Sequence, residues 1–316
     1  MQQVSHRSAT VMRHLSHHSR REPTDVFLTG GTGTIGSAVV SELIAAGHTV
    51  LALARSDASD QTLQNAGARV LRGSIADIDL LRSAASRGDG VISLAFSPDY
   101  GTDDGLAAAI AEERAAMAAL GEALLGSGRP IVTVSGTPWV PRRASVEADP
   151  LPLEGPVAGR ARSVNALLAL ASRNVRASAV RMPRTVHNNG GGGFAGLVAQ
   201  EARRAGVVGY IGDGSQRWPA VHALDAAALF RLALESAPAG TAWHAVADEG
   251  DRARDIAAVI GRRLGLPVES VDESFYGPFG PIFAMDQPAS SLHTRTVLGW
   301  RPTHASLLED LEHLQA

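Results

Sequence analysis

The sequence of 316 residues contains no cysteine and no lysine, and it has no long apolar run. Without cysteine, the chain cannot form a disulfide framework, a thiolate metal site or a cysteine nucleophile. Without lysine, every cationic side chain is an arginine or a histidine. No apolar segment has the length of a signal peptide or a membrane span. These absences predict a cytoplasmic protein.

The charge balance is close to neutral, with 29 basic and 32 acidic residues and a formal net charge of −3. Binding to phosphate backbones or anionic membranes needs clustered positive charge, so neither nucleic acid nor a membrane is an expected partner. A small-molecule substrate is favoured. Carboxylates near residues 103–104 and 112–113 are typical of a solvated loop and helix, so we predict no metal site.

Residues 1–23 lack hydrophobic periodicity and include a histidine-rich run at 14–21. We interpret them as a disordered tail. From residue 25, short apolar runs alternate with alanine-rich helical stretches, which is typical of βαβ units around a parallel sheet. The predicted class is α/β, a Rossmann-type doubly wound sheet over residues 24–186, with a small carboxy-terminal substrate lobe, residues 187–316, on its carboxyl edge. The predicted strands cover residues 25–29, 49–54, 68–72, 90–96, 130–135 and 176–182.

A glycine-rich turn lies between the first predicted strand and the first predicted helix, over residues 29–36. Glycine there permits a tight turn, close approach of the backbone to a pyrophosphate, and tight packing of helix on strand. The phosphates would lie at the positive end of the helix. The sequence therefore predicts a dinucleotide site that includes Gly30, Gly33, Thr34, Ile35 and Gly36.

The end of the second predicted strand distinguishes NAD from NADP. An acidic side chain about 20 residues after the glycines would bind the ribose 2′-hydroxyl. This chain has Arg55 and Ser56 there, a cation and a hydroxyl suited to a 2′-phosphate. We predict that residues 24–186 bind NADP(H). The other interpretation is that Arg55 is a solvated charge at the strand end.

The sequence resembles the extended and atypical branch of the short-chain dehydrogenase/reductase superfamily, which includes epimerases and dehydratases that use NAD. The glycine loop, the turn at 73–77, the segments 134–137 and 181–187, and Leu298-Gly299-Trp300 carry the resemblance. It implies that Ser74 and Ile75 flank the adenine. It also implies further contacts with the ribose and the nicotinamide, made by Leu94, Ala95, Phe96, Pro183 and Thr185.

The pair that this family usually uses for chemistry is missing. The family needs a serine, a tyrosine and, four residues later, a lysine that helps the phenol to transfer a proton. Ser135 matches the serine, but our alignment places Val157 and Ala161 where the tyrosine and lysine should fall. Glu113 stands where an asparagine or aspartate is usual. Reduction of a ketone would then need another acid, whereas a preformed iminium would need none.

Two side chains near the predicted carboxyl edge are candidates for that acid. Tyr100 follows the fourth strand and His187 follows the sixth. An imidazole has an unperturbed pKa near 6.5, which suits proton transfer. The alternative is that Tyr100 packs on a loop and that His187 bonds to backbone. We carry Ser135, Tyr100 and His187 forward as the predicted catalytic residues.

The sequence thus predicts an NADP(H)-dependent reductase that acts on a small carbonyl, imine, iminium or conjugated substrate. One alternative is a nucleotide-binding redox sensor or an isomerase without net redox turnover. A nucleotide-sugar epimerase is disfavoured, because transient oxidation of an alcohol needs the missing base most directly. An alanine and leucine stripe over residues 107–125 fits either a homodimer interface or core packing within one chain.

Overall fold

The computed structural model describes residues 24–96, 103–155 and 157–315. The predicted tail, residues 1–23, lies outside these ranges. The strands are β1 Asp25–Thr29, β2 Thr49–Ala54, β3 Arg69–Arg72, β4 Gly90–Ser93, β5 Pro130–Gly136, β6 Arg176–Met182, β7 Thr185–His187, β8 Val208–Ile211, β9 Arg217–His222, β10 Thr241–His244, β11 Asp248–Arg252 and β12 Val268–Val271. The helices are α1 Thr34–Ala45, α2 Asp57–Asn65, α3 Ile78–Arg87, α4 Asp103–Glu122, α5 Ala158–Ala169, α6 Gly193–Ala205, α7 Ala223–Ser236, α8 Ala253–Leu264, α9 Gly280–Phe283, α10 Leu292–Leu298 and α11 Leu307–Leu311.

Within the described residues, seven parallel strands form the central sheet in the order β10-β6-β5-β4-β1-β2-β3. The middle strands β1 and β4 are buried at every position except Asp25, because helices cover both faces of the sheet. After β1 the chain builds the sheet outward through β2 and β3, and it then returns to place β4 on the other side of β1. This reversal leaves a crevice at the carboxyl ends of β1 and β4, where ligands bind in open α/β sheets. The predicted fold class is confirmed.

The structure does not divide into two domains at residue 186, where the sequence predicted the boundary between the Rossmann domain and the carboxy-terminal lobe. β10 pairs with β6 and so adds a strand to the central sheet. α7 packs against α1, and Phe230 and Trp243 are buried in the same apolar core as Val26. β10 and α7 join this core because both carry apolar side chains that are buried in the central sheet and against it. Part of residues 187–316 therefore completes the Rossmann unit.

The remaining carboxy-terminal elements form a smaller lobe with its own core. β7, β9 and β11 make one small sheet, and β8 pairs with β12 in another. Trp218 and Phe283 meet at 5.0 Å between ring centroids and are buried. Because β7 begins three residues after β6 ends, this lobe starts at the carboxyl edge of the central sheet.

α4 packs between α3 and α5 of the same chain. Ala116, Met117 and Leu120 are buried in that packing. Core packing within one chain therefore accounts for much of the apolar stripe, and the homodimer stays a prediction. In the ranges that the structure describes, no helix combines the length and the apolar character needed to cross a bilayer.

Candidate functional site

The turn between β1 and α1 needs glycine for steric reasons. Gly30 has φ of 78°, and a Cβ there would lie 2.7 Å from the backbone nitrogen of Ala95. A Cβ on Gly36 would lie 2.0 Å from the carbonyl oxygen of Gly30. On Gly33, in contrast, the nearest atom to a Cβ would be 3.6 Å away. The loop is therefore closed against the protein at Gly30 and Gly36 and open at Gly33.

The loop is held against the end of β4 by Thr29, the last residue of β1. Its hydroxyl oxygen accepts hydrogen bonds from the backbone nitrogens of Leu94 at 3.3 Å and Ala95 at 3.4 Å. Thr34 opens α1 and is exposed, while Ile35 is half-buried and packs on the core. The amino end of α1 thus points its free N–H groups toward the crevice, as an anion site requires.

A cleft with a volume of about 240 Å³ extends from this loop across the carboxyl ends of β1, β2 and β4. The predicted residues on its wall are Gly30, Gly33, Arg55, Ile75, Leu94, Ala95 and Phe96. Sequence reasoning missed other residues on the wall, namely Thr32, Leu53, Ser59 and Glu112. Ser59 could have been found from its spacing, because it lies three residues after the helix-capping Ser56.

After the end of β2, Arg55 faces the cleft, and Ser56 immediately precedes α2. The Ser56 hydroxyl accepts a hydrogen bond from the backbone nitrogen of Ser59 at 3.2 Å, so it caps this helix. Ser56 therefore has a structural role as a helix cap, in addition to its predicted role in binding a 2′-phosphate. Arg72 neutralises Asp57 in the first turn of α2, with 3.0 Å between Nη2 and Oδ1.

Ser74 and Ile75 lie in the turn that follows β3. The Ser74 nitrogen donates to Asp77 Oδ2 at 2.7 Å, and its hydroxyl accepts from the Ala76 nitrogen at 3.0 Å. These bonds make Ser74 part of the turn, whereas Ile75 presents an apolar side chain to the cleft. An apolar wall beside a glycine cradle fits an adenine next to a pyrophosphate.

Comparison with known proteins agrees with this geometry. Residues 26–245 match the NAD dependent epimerase/dehydratase family. The chain belongs to this family. An uncharacterized protein of Schizosaccharomyces pombe is 38% identical over 290 residues, which cover 90% of this chain and 97% of that protein. An uncharacterized protein of Saccharomyces cerevisiae is 38% identical over 293 residues, with the same coverage.

Solved structures show the same fold at lower sequence identity. Pal from Bacillus thuringiensis superposes with a TM-score of 0.75 at 20% identity, over 92% of this chain and 97% of that one. The dTDP-glucose 4,6-dehydratase of Streptomyces venezuelae, solved with NAD bound, gives 0.73 at 20% identity over 91% and 94%. The predicted resemblance to epimerases and dehydratases is thus confirmed.

A second cavity, of about 170 Å³, lies at the carboxyl end of β5. We call it the Ser135 cavity. The half-buried Ser135 lines it together with Thr137, whose hydroxyl oxygen is enclosed and has no hydrogen-bond partner among the described residues. Val157 and Ala161 also line this cavity. The positions where this family usually has the tyrosine and lysine therefore face the cavity but carry no titratable group.

An ion pair that sequence reasoning missed borders the Ser135 cavity. Arg160 donates from Nε and Nη2 to the two carboxylate oxygens of Glu113, each at 2.8 Å. Its guanidinium carbon also lies 3.8 Å from the centre of the Phe96 ring, and Phe96 lines the dinucleotide cleft. Arg160 thus stands where the two cavities adjoin. Its signal in the sequence was a cation one residue before the lysine position, with a second, Arg162, one residue after it.

Of the two predicted proton donors, the described residues include only His187, and the structure does not bring it to this place. His187 is fully buried in the carboxy-terminal lobe, where its Nδ1 lies 2.9 Å from Asp310 Oδ2 and its ring packs edge-on against His222. It does not line the cleft or the Ser135 cavity, because β7 turns its side chain toward α11. We therefore do not assign it proton transfer. Tyr100 lies outside the described residues.

The segment after β6 is buried. Pro183 and Thr185 are enclosed, and the Thr185 hydroxyl has no protein partner. Between them, Arg184 packs over the Phe194 ring at 5.4 Å, and its Nε is enclosed without a hydrogen bond. Burial lowers the pKa of Arg184 to about 10. These polar atoms at the sheet's carboxyl edge have no protein partner in the described residues.

Proposed function

We propose that this member of the NAD dependent epimerase/dehydratase family is an NADP(H)-dependent reductase that acts without a tyrosine and lysine pair. Its substrate would be a small carbonyl, imine, iminium or conjugated compound. The observation that carries the proposal is the adjacency of two cavities. A glycine-cradled cleft meets a smaller cavity that presents the hydroxyl of Ser135.

The choice of NADP rests on the charges at the end of β2. Arg55 lines the cleft, where a 2′-hydroxyl would call for a carboxylate instead. Asp57 is the nearest acidic residue in the chain, and Arg72 pairs with it. A guanidinium can hold a phosphate through two parallel hydrogen bonds, which supports NADP over NAD.

Each part of the site has a separate role in binding the dinucleotide or the substrate. The backbone at Gly33 and the amino end of α1 would hold the pyrophosphate, and Ile75 would contact the adenine. When bound, the reduced dinucleotide supplies a hydride. Ser135 donates a hydrogen bond that orients the acceptor group of the substrate. The mostly apolar walls of the Ser135 cavity place few competing polar groups around that hydrogen bond.

Nucleotide-sugar chemistry is less well supported, although structural neighbours include a dTDP-glucose 4,6-dehydratase and a UDP-glucose 4-epimerase. Oxidation of a sugar alcohol requires a base, and neither Val157 nor Ala161 can supply one. The same missing base leaves a second candidate, a nucleotide-binding redox sensor or an isomerase that retains the dinucleotide without net redox turnover.

A turnover assay separates these functions. Purified protein is incubated with NADPH and a panel of ketones, enones and cyclic imines while the absorbance band of the reduced nicotinamide is followed. We expect NADPH consumption with at least one member. Binding of NADPH without consumption on the whole panel would favour the sensor. Conversion of UDP-glucose or dTDP-glucose, followed by NMR, would favour the sugar enzyme.

Replacement of Arg55 by alanine tests the cofactor preference. We expect the dissociation constant for NADPH to rise on the order of 10-fold to 100-fold, because a charge-assisted hydrogen bond to phosphate is lost. NADH binding should change less than about twofold. Titration calorimetry measures both. The matched control is Arg69→Ala, which removes an exposed arginine at the amino end of β3, away from the carboxyl edge where the cleft lies. Equal losses for the two nucleotides would contradict the NADP assignment.

A further inference from the structure

We propose that Arg160 replaces the missing tyrosine and lysine pair by hydrogen bonding, together with Ser135, to the oxygen of a compact apolar ketone in the Ser135 cavity. The inference rests on the proposed function and narrows its substrate class. It assigns the cavity to neutral carbonyl compounds and excludes iminium ions. Arg160 is then a catalytic residue, because it touches the atom on which charge develops.

The hydrogen-bonding geometry of Arg160 leaves one donor group available. Glu113 occupies Nε and Nη2, and this two-point pairing fixes the plane of the guanidinium. In the described part of the chain, Nη1 makes no hydrogen bond and is not enclosed. The side chain is 25% exposed, whereas that of Glu113 is 6% exposed. The pair is therefore anchored at its carboxylate end and open at Nη1.

The cavity around that donor fits a small apolar molecule with one polar end. Its volume of about 170 Å³ is below the roughly 300–1,000 Å³ of pockets for drug-sized ligands. Most of the wall is apolar, and the unpartnered hydroxyl of Thr137 lies on it beside Ser135 and Arg160. The apolar wall is formed by Val134, Leu151, Pro152, Val157, Ala161 and Val164.

The chemistry of carbonyl reduction explains why a guanidinium can take the place of the tyrosine and lysine pair. The carbonyl carbon gains a hydride, a C–H bond forms, and the π electrons of the C=O bond move to oxygen. The NADPH of the proposed function leaves as NADP⁺. A fixed cation within hydrogen-bonding distance stabilises the resulting alkoxide oxygen without itself losing a proton. A water molecule then protonates that oxygen and leaves hydroxide to solvent. A positively charged iminium would be repelled at the same place.

The variants must separate catalysis from structure, because Arg160→Met alone leaves a buried, unpaired carboxylate on Glu113. The double variant Arg160→Met with Glu113→Leu removes both charges. We expect the double variant to melt near the wild-type temperature. Arg162→Met, on the same helix and exposed, is the matched control. It loses a hydrogen bond to the carbonyl oxygen of Leu153, which does not line the Ser135 cavity, and it should keep the wild-type ¹³C shift and turnover.

One readout does not depend on turnover. Cyclohexanone labelled with ¹³C at the carbonyl is titrated into protein saturated with NADP⁺, and its ¹³C resonance is followed. Hydrogen bonds from a cation polarise the C=O bond, so we expect a downfield shift with wild type and Arg162→Met. The double variant should lose most of that shift. In the NADPH assay its kcat/KM for cyclohexanone should fall on the order of 100-fold to 1,000-fold.

The outcomes distinguish this inference from the proposed function. If NADPH does not bind to wild type, the proposed function fails. If NADPH binds and wild type neither binds nor shifts cyclohexanone, the cavity assignment is overturned. The proposal is also overturned if the double variant keeps the wild-type melting temperature, ¹³C shift and turnover, since Arg160 would then have no part in catalysis. If the double variant does not fold, Arg160→Gln with Glu113→Gln carries the test, because two neutral amides can still hydrogen bond to each other but place no cation beside the substrate oxygen.

Discussion

Asp251 shows at the scale of one residue how burial sets the properties of a side chain. It lies in β11, and its Oδ2 is enclosed without a hydrogen bond to any residue that the structure describes. Burial, followed by repulsion from Asp248 and Asp255, raises the pKa of Asp251 to about 6. The carboxyl group of Asp251 therefore loses its proton more easily in the unfolded chain than in the folded protein. Its protonated form stabilises the fold below about pH 4, and this contribution is lost as the pH rises through about 6.

Replacement of Asp251 by asparagine should stabilise the protein at neutral pH. The amide has nearly the same shape and carries no charge, so we expect a gain on the order of 1 to 2 kcal/mol in the free energy of unfolding at about pH 7.5. The gain should shrink toward about pH 4.5. Urea denaturation at the two pH values measures it. The exposed Asp272→Asn is the control, and a gain of equal size at both pH values would contradict the assignment.

At the scale of elements, the boundaries that were predicted well belong to segments with a strong apolar pattern. The six predicted strands recur as β1 to β6, and most of the alanine and leucine stripe over residues 107–125 falls on α4. No prediction covered α2. Its nine residues bury only Leu63, so it has no apolar stripe, and its start is set by the Ser56 cap.

The β1–α1 loop allows a test with two alanine substitutions. Gly33→Ala should leave stability nearly unchanged but weaken dinucleotide binding at least about 10-fold, because its Cβ would enter the space for the pyrophosphate. Gly36→Ala should lower both, because its Cβ would lie 2.0 Å from the Gly30 oxygen. Thermal melting and calorimetry with NADPH separate the two effects. A destabilised Gly33→Ala, or a fully stable Gly36→Ala, would show that the loop differs from this geometry.

At the scale of the whole molecule, the two halves of the chain share one core. Trp300, 1% exposed, packs in the cluster that contains Val26 of β1 and Phe230 of α7. Its indole nitrogen donates to the carbonyl oxygen of Asp225 at 2.9 Å. Because this cluster joins sequence-distant segments, residues 187–316 should not unfold independently of the Rossmann unit.

Replacement of Trp300 by alanine tests this shared core. We expect a loss of about 3 to 5 kcal/mol in the free energy of unfolding, since a large side chain leaves a cavity behind. Denaturation followed by circular dichroism and by fluorescence should show one coincident transition. Trp139→Ala is the control, because Trp139 is 46% exposed and should cost less than about 1 kcal/mol. Two separated transitions in Trp300→Ala would show that the carboxy-terminal lobe folds independently.

The sequence alone determined six strands of the central sheet, the glycine cradle, the cation at the end of β2 and the loss of the tyrosine and lysine pair. Each of these is written in a short stretch of neighbouring residues, where period, turn chemistry and spacing act locally. Only the tertiary structure decided that Arg160 pairs with Glu113 across 47 positions, and that His187 pairs with Asp310 across 123. Such contacts depend on how helices and strands pack, and this packing is set by burial throughout the molecule.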